Sequence, residues 1–365
     1  MGKNIVIEKW FSFMLFSKKN HLVGLDIGSR TIKAAEIRGL KKDARLTLKR
    51  FGTIDIPRGA IEEGSIKKPE EIVDAIKLLF KTYGIREHNV AVSIGGYSVI
   101  VKKISLQSMT EEQLNKTIHF DAEQYIPFDI NEVNLDFQIL GNIENTDCMN
   151  VLLVAAKKEM VDGYISLLEM ANLNPCIIDV DAFALQNIFE INYEPKNENV
   201  ALIDIGASKT SLNILKGEDS VFMRDVSLGC DQINQKIVNL VDCTNDEAEQ
   251  IKFSENTDRI SAKDLMEIVT TVVTDWCTEI QRAMEFFYST YPDDPIKTIL
   301  LSGGGGNIKK FRQLLATETT AKVMTINPFK AFYLDNNSFD SSYIKQIGPQ
   351  AAICMGLATR RVDDK

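Results

Sequence analysis

The sequence predicts an α/β fold with two duplicated lobes, and three observations support this class. Strand-like and helix-like segments alternate through most of the 365 residues, which indicates layers of strands and helices. An apolar run followed by Asp, Ile and Gly occurs twice, ending in Asp26 and in Asp204. These aspartates are 178 positions apart (204 − 26), a spacing far too long for a solenoid repeat. Each copy is therefore expected to open one lobe.

Each copy of the pattern predicts a β-hairpin. In "LVGLDIGSRTIKAAEI", residues 22–27 form an unbroken apolar strand, Gly28 and Ser29 the turn, and residues 31–37 the returning strand. The copy "VALIDIGASKTSLNILK" repeats this order, with two or three small or polar residues before its threonine. A helix is predicted over 69–83, where a proline and two acids precede an apolar periodicity, and a strand over "NVAVSIGG".

Two segments look inserted into this plan. Residues 99–174 predict a compact α+β unit: a strand "VIVKKISL", a helix beginning near Thr110, the strands "NLDFQIL" and "VLLVAA", and a helix ending near Leu173. Residues 229–294 predict a mainly helical unit, which includes "AKDLMEIVTTVVTDWCTEIQRAMEFFYST". Each half of the chain therefore carries one insertion of a different class.

Composition excludes several classes of function. A net charge of −9 argues against a general nucleic-acid binder. The six cysteines contain no C-x-x-C spacing, so they are expected to be buried thiols in a reducing compartment. The three histidines, His21, His88 and His119, are scattered, which leaves little material for a metal cage or a histidine-based triad.

The aspartate that ends each buried strand needs a partner, because burying an unpaired carboxylate is costly. Either Asp26 caps its turn or a cation pairs with it. A tight glycine turn exposes backbone N–H groups that bind anions, and a neighbouring carboxylate can hold Mg²⁺ directly or through water. Two such turns predict a grip on a polyphosphate, with Asp26 and Asp204 as metal ligands. A single Asp-x-Gly turn is more often only a hairpin, so the repeat carries this prediction.

A third glycine signal is "ILLSGGGGNIKKFRQLLA", a strand, four glycines from Gly303 to Gly306, and a helix. Glycine lets a phosphate or a flat ring approach the backbone, and the start of a helix attracts anions. The spacing matches neither the Rossmann fingerprint nor the P-loop. A plain loop is the alternative. Together with the two turns, however, the run favours nucleotide binding.

These segments, in this order, resemble the actin/Hsp70/hexokinase-like ATPase superfamily. "DIGSRTIK" and "DIGASKTS" are similar to its two phosphate motifs, "LLSGGGGNI" to its adenosine motif, and "FALQNIFEI" and "PQAAICMGLATR" to its connecting helices. Within it, "VSIGGYSVIVKKISL", "FDAEQYIPFDINEVNLDFQIL", "VLLVAAKKEMVDGYISLLEMANLNP" and "VSLGCDQINQKI" resemble the PilM family of type IV pilus assembly proteins. The resemblance implies an actin-like ATPase fold whose subdomain 1C takes the place of actin's 1B.

The resemblance implies a division into a leader and four subdomains. These are a flexible leader (1–20), 1A (21–98 and 175–198), 1C (99–174), 2A (199–228 and 295–365) and 2B (229–294).

The resemblance also assigns roles to individual residues. ATP and Mg²⁺ would contact Asp26, Gly28, Ser29, Thr31 and Lys33; Asp204, Gly206, Ala207, Ser208 and Thr210; Gly303, Gly304 and Gly305; and Glu279 and Arg282 beside the adenosine. Gln186 matches a glutamine that orients water, with an ordinary helix residue as its alternative. Lys33 has a surface lysine as its alternative, and Glu279 with Arg282 a helix-surface ion pair. Arg30, Lys209 and Cys230 depart from the family pattern. With no clear catalytic base, a weak or absent ATPase activity is expected.

The implied function is that of a cytoplasmic adaptor on the inner face of the inner membrane. Its partners would be the N-terminal peptide of a PilN-like membrane protein, bound between 1A and 1C near Tyr125, Pro127 and Phe128, and components of the pilus motor. Self-association is possible for such a fold. A metabolic kinase and an FtsA-like division protein are the alternatives within the superfamily. The segment "KWFSFMLFSKKN" is too short to span a bilayer, and reads either as a disordered leader or as an aromatic and basic membrane-surface contact.

Overall fold

The computed structural model describes residues 21–39, 46–194, 198–253, 259–335 and 337–362. These residues form two compact units. The first takes in the described chain up to Glu194, Val221–Met223 and the described residues from Asn327 onward. The second takes in the described residues from 198 to Ser220 and Arg224–Ile326. The predicted leader of residues 1–20 lies outside the described residues.

The first unit is organised by a five-stranded sheet in the order β10-β6-β1-β2-β3. Its elements before residue 194 are β1 (Val23–Ile27), β2 (Thr31–Gly39), β3 (Leu46–Asp55), β4 (Ile61–Glu62), β5 (Ser65–Ile66), α1 (Pro69–Tyr83), β6 (Asn89–Ile94), β7 (Val99–Gln107), α2 (Glu111–Ala122), β8 (Val133–Asn142), β9 (Cys148–Lys157), α3 (Lys158–Met170), β10 (Asn174–Val180) and α4 (Asp181–Asn192). Strand β1 pairs antiparallel with β2 and parallel with β6, so the predicted hairpin is confirmed. All of β1 is buried, as its unbroken apolar run predicts.

Helix α1 begins and ends where its sequence signals stand. Pro69 occupies the first turn with Glu70 and Glu71, and Gly84 ends the helix in the left-handed conformation at φ 64°. Its apolar face packs on the sheet through Ile72, Val73, Ile76, Leu79 and Phe80. The predicted bounds of 69–83 are confirmed, because every signal for this helix is local.

The segment from Val99 to Met170 contains a second, three-stranded sheet in the order β7-β9-β8. Thr110 and Gln113 form a capping box that starts α2, which packs on one face of this sheet. Alternate residues of β9 point to opposite faces of the sheet. Val151 and Leu153 pack in the cluster between the sheet and α2, whereas Leu152 and Val154 pack with Val180 and Phe183. The predicted α+β elements of the first insertion are confirmed. The subdomain boundary stays a prediction.

The second unit repeats the central plan with a sheet in the order β13-β12-β11-β14-β15. Its elements are β11 (Asn199–Ile205), β12 (Thr210–Lys216), β13 (Asp219–Val226), α5 (Asp231–Val241), α6 (Asn245–Phe253), α7 (Ala262–Thr290), β14 (Ile296–Ser302), α8 (Lys309–Glu318) and β15 (Lys322–Thr325). Strands β11 and β12 form the second predicted hairpin, and β14 lies parallel to β11. Helices α5, α6 and α7 confirm the helical character of the second insertion.

The last helix, α9 (Ser341–Leu357), packs in the first unit. The sequence assigned residues 295–365 to the second lobe, but α9 lies against β1 and α4. Two glycines permit this packing: a Cβ on Gly24 would fall within 3.0 Å of the backbone of Cys354 and Ala358, and one on Gly356 within 3.0 Å of the Ala184 carbonyl. Close backbone contact between distant segments, rather than local periodicity, places α9 here.

Candidate functional site

The turns of the two hairpins have the same backbone geometry. The N–H of Gly28 donates to the carbonyl of Thr31 at 3.1 Å, and the N–H of Gly206 donates to the carbonyl of Lys209 at 2.9 Å. In each, the aspartate two residues before the glycine is the second-to-last residue of its strand. The structural equivalent of Thr31 is thus Lys209, whereas the sequence comparison placed the two threonines together. The duplication is therefore real at the level of individual hydrogen bonds.

Asp26 has a cation of its own in the first hairpin. Register places it opposite Lys33, whose Nζ lies 2.9 Å from its Oδ2. Both side chains are nearly buried, at 12% and 11% exposure. This ion pair offsets the free-energy cost of burying a carboxylate near the end of the strand, because the lysine neutralises the carboxylate at hydrogen-bond distance. Lys33, predicted as a phosphate contact, is placed against Asp26.

The second hairpin has a serine, rather than a lysine, opposite its aspartate. Ser211 stands opposite Asp204, where the first hairpin has Lys33. Asp204 is also more accessible than Asp26. The nearby cation, Lys209, lies 3.7 Å from Asp225 on β13, which also accepts a hydrogen bond from Ser211. Lys209 therefore has a carboxylate partner within its own sheet, which accounts for this departure from the family pattern.

Helix α5 holds the second turn from outside the hairpin. The N–H groups of Cys230 and Asp231 donate to the carbonyls of Gly206 and Ala207 at 3.0 and 2.9 Å. A Cβ on Gly229 would fall within 3.0 Å of Ala207, so the chain needs glycine there to come this close. The sequence analysis did not predict that α5 supports the turn. The only sequence signal for this support is Gly229, which follows "VSL".

The glycine run lies against the same strand end. Gly303 has φ +75°, and a Cβ there would fall within 3.0 Å of the Ile205 backbone. Residues Gly304–Asn307 form a 3₁₀ turn before α8 begins at Lys309. The predicted loop thus has a defined turn, and the helix starts three residues after Gly306. Gly303 and Gly305 both pack on Ile205, which joins Asp204 to Gly206. The structure therefore brings the second turn and the glycine run together.

Two charged residues of α6, Glu249 and Lys252, were not singled out from the sequence. The Lys252 Nζ lies 2.8 Å from Glu249, and the lysine side chain is only 8% exposed. Burial raises the pKa of the Cys230 thiol to about 12, and Lys252, Glu249, Asp231 and Asp204 all act on this pKa through their charges. The side-chain amide of Asn234 on α5 donates to Glu249, so the α6 pair lies beside the helix that supports the second turn.

Several predicted site residues have local partners instead. Gln186 donates from Nε2 to Glu190 at 2.8 Å, one helical turn further along α4. Glu279 and Arg282 bond to each other on α7, which is the helix-surface ion pair named as their alternative. Thr210 is buried, and its hydroxyl donates to the Leu228 carbonyl at 2.9 Å. Thr210 thus ties the strand to the segment that leads into α5.

The residues predicted to bind a partner form an aromatic and basic surface. Tyr125 and Phe128 are partly buried and pack against the cluster between α2 and its sheet. Lys102 Nζ lies 5.4 Å from the Tyr125 ring centre, and Lys157 Nζ lies 4.6 Å from that of Phe128. Both distances permit cation–π contact. Pro127, between the two rings, is exposed.

Magnesium fits the second hairpin better than the first. Mg²⁺ takes oxygen ligands and usually keeps several waters beside one or two carboxylates and substrate phosphates. Among the residues that the structure describes, no group of three or more His, Cys, Asp or Glu is placed to hold a metal. Phosphate and water would have to complete the coordination. One oxygen of Asp26 accepts from Lys33, and Asp204 is the more accessible of the two carboxylates, so a metal would reach Asp204 more readily.

Comparison with known protein families shows the family of this chain. The sequence model described as "Type IV pilus assembly protein PilM" matches residues 24–362. The chain belongs to this family. The PilM family assignment agrees with the resemblance noted in the motifs, and it covers both hairpins, both insertions and α9.

Solved structures agree with this assignment. A "PilM-PilN type IV pilus biogenesis complex" is similar at 27% identity and a TM-score of 0.82, covering 93% of this chain and 97% of that one. EutJ of Carboxydothermus hydrogenoformans has 12% identity, a TM-score of 0.56 and coverage of 97% and 92%. MreB5 of Spiroplasma citri bound to AMPPNP has 11% identity, a TM-score of 0.52 and coverage of 93% and 95%. The PilM-family chain therefore has the predicted actin-like ATPase fold.

No helix in the described part of the chain is both long enough and apolar enough to cross a bilayer.

Proposed function

We propose that this chain is an ATP-binding scaffold of type IV pilus assembly that binds the cytoplasmic N-terminal peptide of a PilN-like inner-membrane protein. The observation that carries the proposal is the match over 93% of the chain to a PilM–PilN complex at 27% identity. In this role the chain works in the cytoplasm at the inner face of the inner membrane. It connects the membrane protein to the pilus motor and can associate with further copies.

The nucleotide part of the proposal rests on the two glycine turns. Each turn is closed by a glycine N–H beside an aspartate, and in the second unit the glycine run packs against the same strand end. These features suit the phosphates of ATP, with Mg²⁺ near Asp204. When bound, the metal would offset phosphate charge, while the turn, the start of α5 and Gly303 hold the shape around it.

Weak or absent hydrolysis fits the same residues. Hydrolysis requires groups placed for the transition state, whereas binding requires only complementarity to ATP itself. Gln186, the one residue predicted to orient water, is hydrogen-bonded to Glu190. We propose that ATP acts as a ligand that stabilises one conformation of the scaffold.

Asp204→Asn is expected to weaken Mg-ATP binding at least tenfold, about 1.4 kcal/mol, because the metal loses its charged ligand while the side-chain volume is kept. Isothermal titration calorimetry with and without Mg²⁺ measures the effect. Asp293→Asn, an exposed aspartate of the same unit, is the matched control and should bind as the wild type does. Wild-type affinity in Asp204→Asn would show that the second turn is not the metal side of the site.

The peptide part of the proposal rests on the surface around Tyr125 and Phe128. Two partly buried rings, each under a lysine ammonium, present an apolar face with positive charge beside it. Such a face suits an extended peptide that carries apolar and acidic side chains. Partly buried aromatic residues are also the usual anchors of binding energy.

Phe128→Ala is expected to weaken binding of a synthetic PilN-type N-terminal peptide at least tenfold, since it removes an aromatic anchor. Fluorescence anisotropy of the labelled peptide measures the affinity, with and without ATP. The matched control is Phe120→Ala on α2, whose ring is 82% exposed and which should leave affinity unchanged. Normal folding together with normal affinity in Phe128→Ala would remove this residue from the interface.

A further inference from the structure

Strand β8 forms one edge of the three-stranded sheet in the first unit. Within the part of the chain that the structure describes, it pairs with β9 alone. Every residue from Asn134 to Leu140 is partly exposed, whichever face of the strand it lies on. An edge strand presents backbone N–H and C=O groups to a further strand, so natural sheets usually protect such edges. Strand β8 therefore offers a surface for β-pairing along most of its length.

The other edges of the three larger sheets carry protection that β8 does not have. Strand β7 has two adjacent lysines, β10 has a proline and β13 has three charged residues. Tyr333 is hydrogen-bonded to the backbone of Leu46 and Leu48 along the edge of β3, and β15 has only four residues. By contrast, β8 has ten residues with no proline and a single charge, at Asp136. Its length and composition favour pairing with another strand.

One hydrogen bond indicates which backbone groups face this edge. The N–H of Phe137 donates to the side chain of Asp136 at 2.8 Å, which indicates that it points away from β9. Because the backbone direction alternates along a strand, Leu135 and Ile139 share the orientation of Phe137. The regular pairing of β8 with β9 ends at a bulge between Ile139 and Gly141. The segment Leu135–Ile139 can therefore pair with an incoming strand.

The side chains of this segment are self-complementary in the antiparallel direction. Leu135, Phe137 and Ile139 pack in the cluster between the sheet and α2, and each stays partly exposed. Around a twofold axis at Phe137, that residue would face its own copy, and Leu135 would face Ile139 of the second chain. On the opposite face of the sheet, Asp136 would face Gln138 of the second chain. Apolar residues thus meet apolar ones, and no like charges stand opposite each other.

We infer that Leu135–Ile139 pairs antiparallel with the same segment of a second copy of this chain, which joins the two three-stranded sheets into one. Leu135, Phe137 and Ile139 would exchange about six backbone hydrogen bonds across the axis. The Phe137 N–H would donate to the carbonyl of Phe137 in the second copy instead of to Asp136. A twofold contact uses the same patch on both chains, so assembly stops at a dimer.

This dimer is a specific form of the self-association in the proposed function, on which it rests, and it needs neither ATP nor the peptide. Sedimentation velocity of the full chain, without either ligand, measures the oligomeric state. A short strand pair makes a small interface, so we expect a monomer–dimer equilibrium with a Kd of roughly 10–100 µM.

Charge variants of Gln138 test the contact in both directions. Gln138→Glu would place a second carboxylate opposite Asp136 on both sides of the axis, and should raise the Kd by about fivefold. Gln138→Lys would place a cation there, and should lower the Kd by about fivefold. The matched controls are Gln107→Glu and Gln107→Lys, at an exposed position of β7 on the other edge of the sheet, which should leave the Kd unchanged.

Cysteine trapping tests the register of the two strands. In Phe137→Cys, the new thiols would stand on Cα atoms about 5.5 Å apart, within reach of a disulfide. In Gln138→Cys, they would be displaced by about 7 Å along the strands and should not link. Mild oxidation should therefore yield a covalent dimer of Phe137→Cys, above the background that the wild type sets with its six cysteines.

A wild type that stays monomeric up to about 300 µM overturns the dimer, and leaves the nucleotide and peptide parts of the proposed function standing. A dimer whose Kd does not respond to the charge at position 138 overturns this interface, because the contact would then lie on another surface. Equal cross-linking of Phe137→Cys and Gln138→Cys contradicts the proposed register. The charge variants decide the interface if circular dichroism shows that Phe137→Cys does not fold.

Discussion

Gly356→Ala is expected to lower the free energy of unfolding by about 3 kcal/mol, although alanine is the better helix former. The new Cβ would lie within 3.0 Å of the Ala184 carbonyl, so α4 and α9 would have to move apart. Both helices are anchored by buried residues, among them Leu185, Ile188, Ala352 and Met355, so separation opens voids along the contact. The intrinsic gain from alanine, about 0.5–1 kcal/mol, is too small to compensate.

Urea denaturation followed by circular dichroism measures this change. Gly163→Ala is the matched control, because Gly163 lies inside α3 and its Cβ would meet no described atom within 4 Å. That substitution is expected to raise stability by about 0.5–1 kcal/mol. If the two substitutions change stability equally, the close contact of α4 with α9 is not what requires glycine at 356.

Asp26→Ala is expected to destabilise the first unit by about 3–5 kcal/mol, because it leaves the buried Lys33 ammonium without its carboxylate. Lys33→Met should cost a similar amount for the converse reason. The double variant Asp26→Leu/Lys33→Met should recover most of the loss, since replacing a buried pair with apolar residues is often neutral. Chemical denaturation of the wild type, Asp26→Leu, Lys33→Met and the double variant forms a double-mutant cycle whose coupling measures the pair.

The same variants separate an effect on stability from an effect on Mg-ATP affinity. Asp26→Ala is also expected to weaken Mg-ATP binding at least tenfold, about 1.4 kcal/mol. A double variant that is stable yet does not bind ATP would assign Asp26 or Lys33 to the nucleotide. Wild-type stability in Asp26→Ala would show that Lys33 does not depend on this carboxylate.

Local patterns predicted the elements of this fold and the place of its candidate site. The unbroken apolar run before Asp26 predicts a strand buried on both faces, and Pro69, Glu70 and Gly84 bound α1, because these signals act within one turn or one strand. The spacing of Glu279 and Arg282 left an ion pair open as the alternative to an adenosine contact, and the structure shows that these residues are paired.

The sequence by itself determined the two Asp-Ile-Gly hairpins, the class of each insertion and the membership in the PilM family. Only the tertiary structure decided that Lys33 neutralises Asp26, that Ser211 rather than a lysine stands opposite Asp204, and that α9 packs in the first unit. It also showed that α5 and Gly229 support the second turn. The physical reason is range: strands and turns follow from neighbours a few residues apart, whereas charge pairing and close backbone packing depend on which distant segments meet.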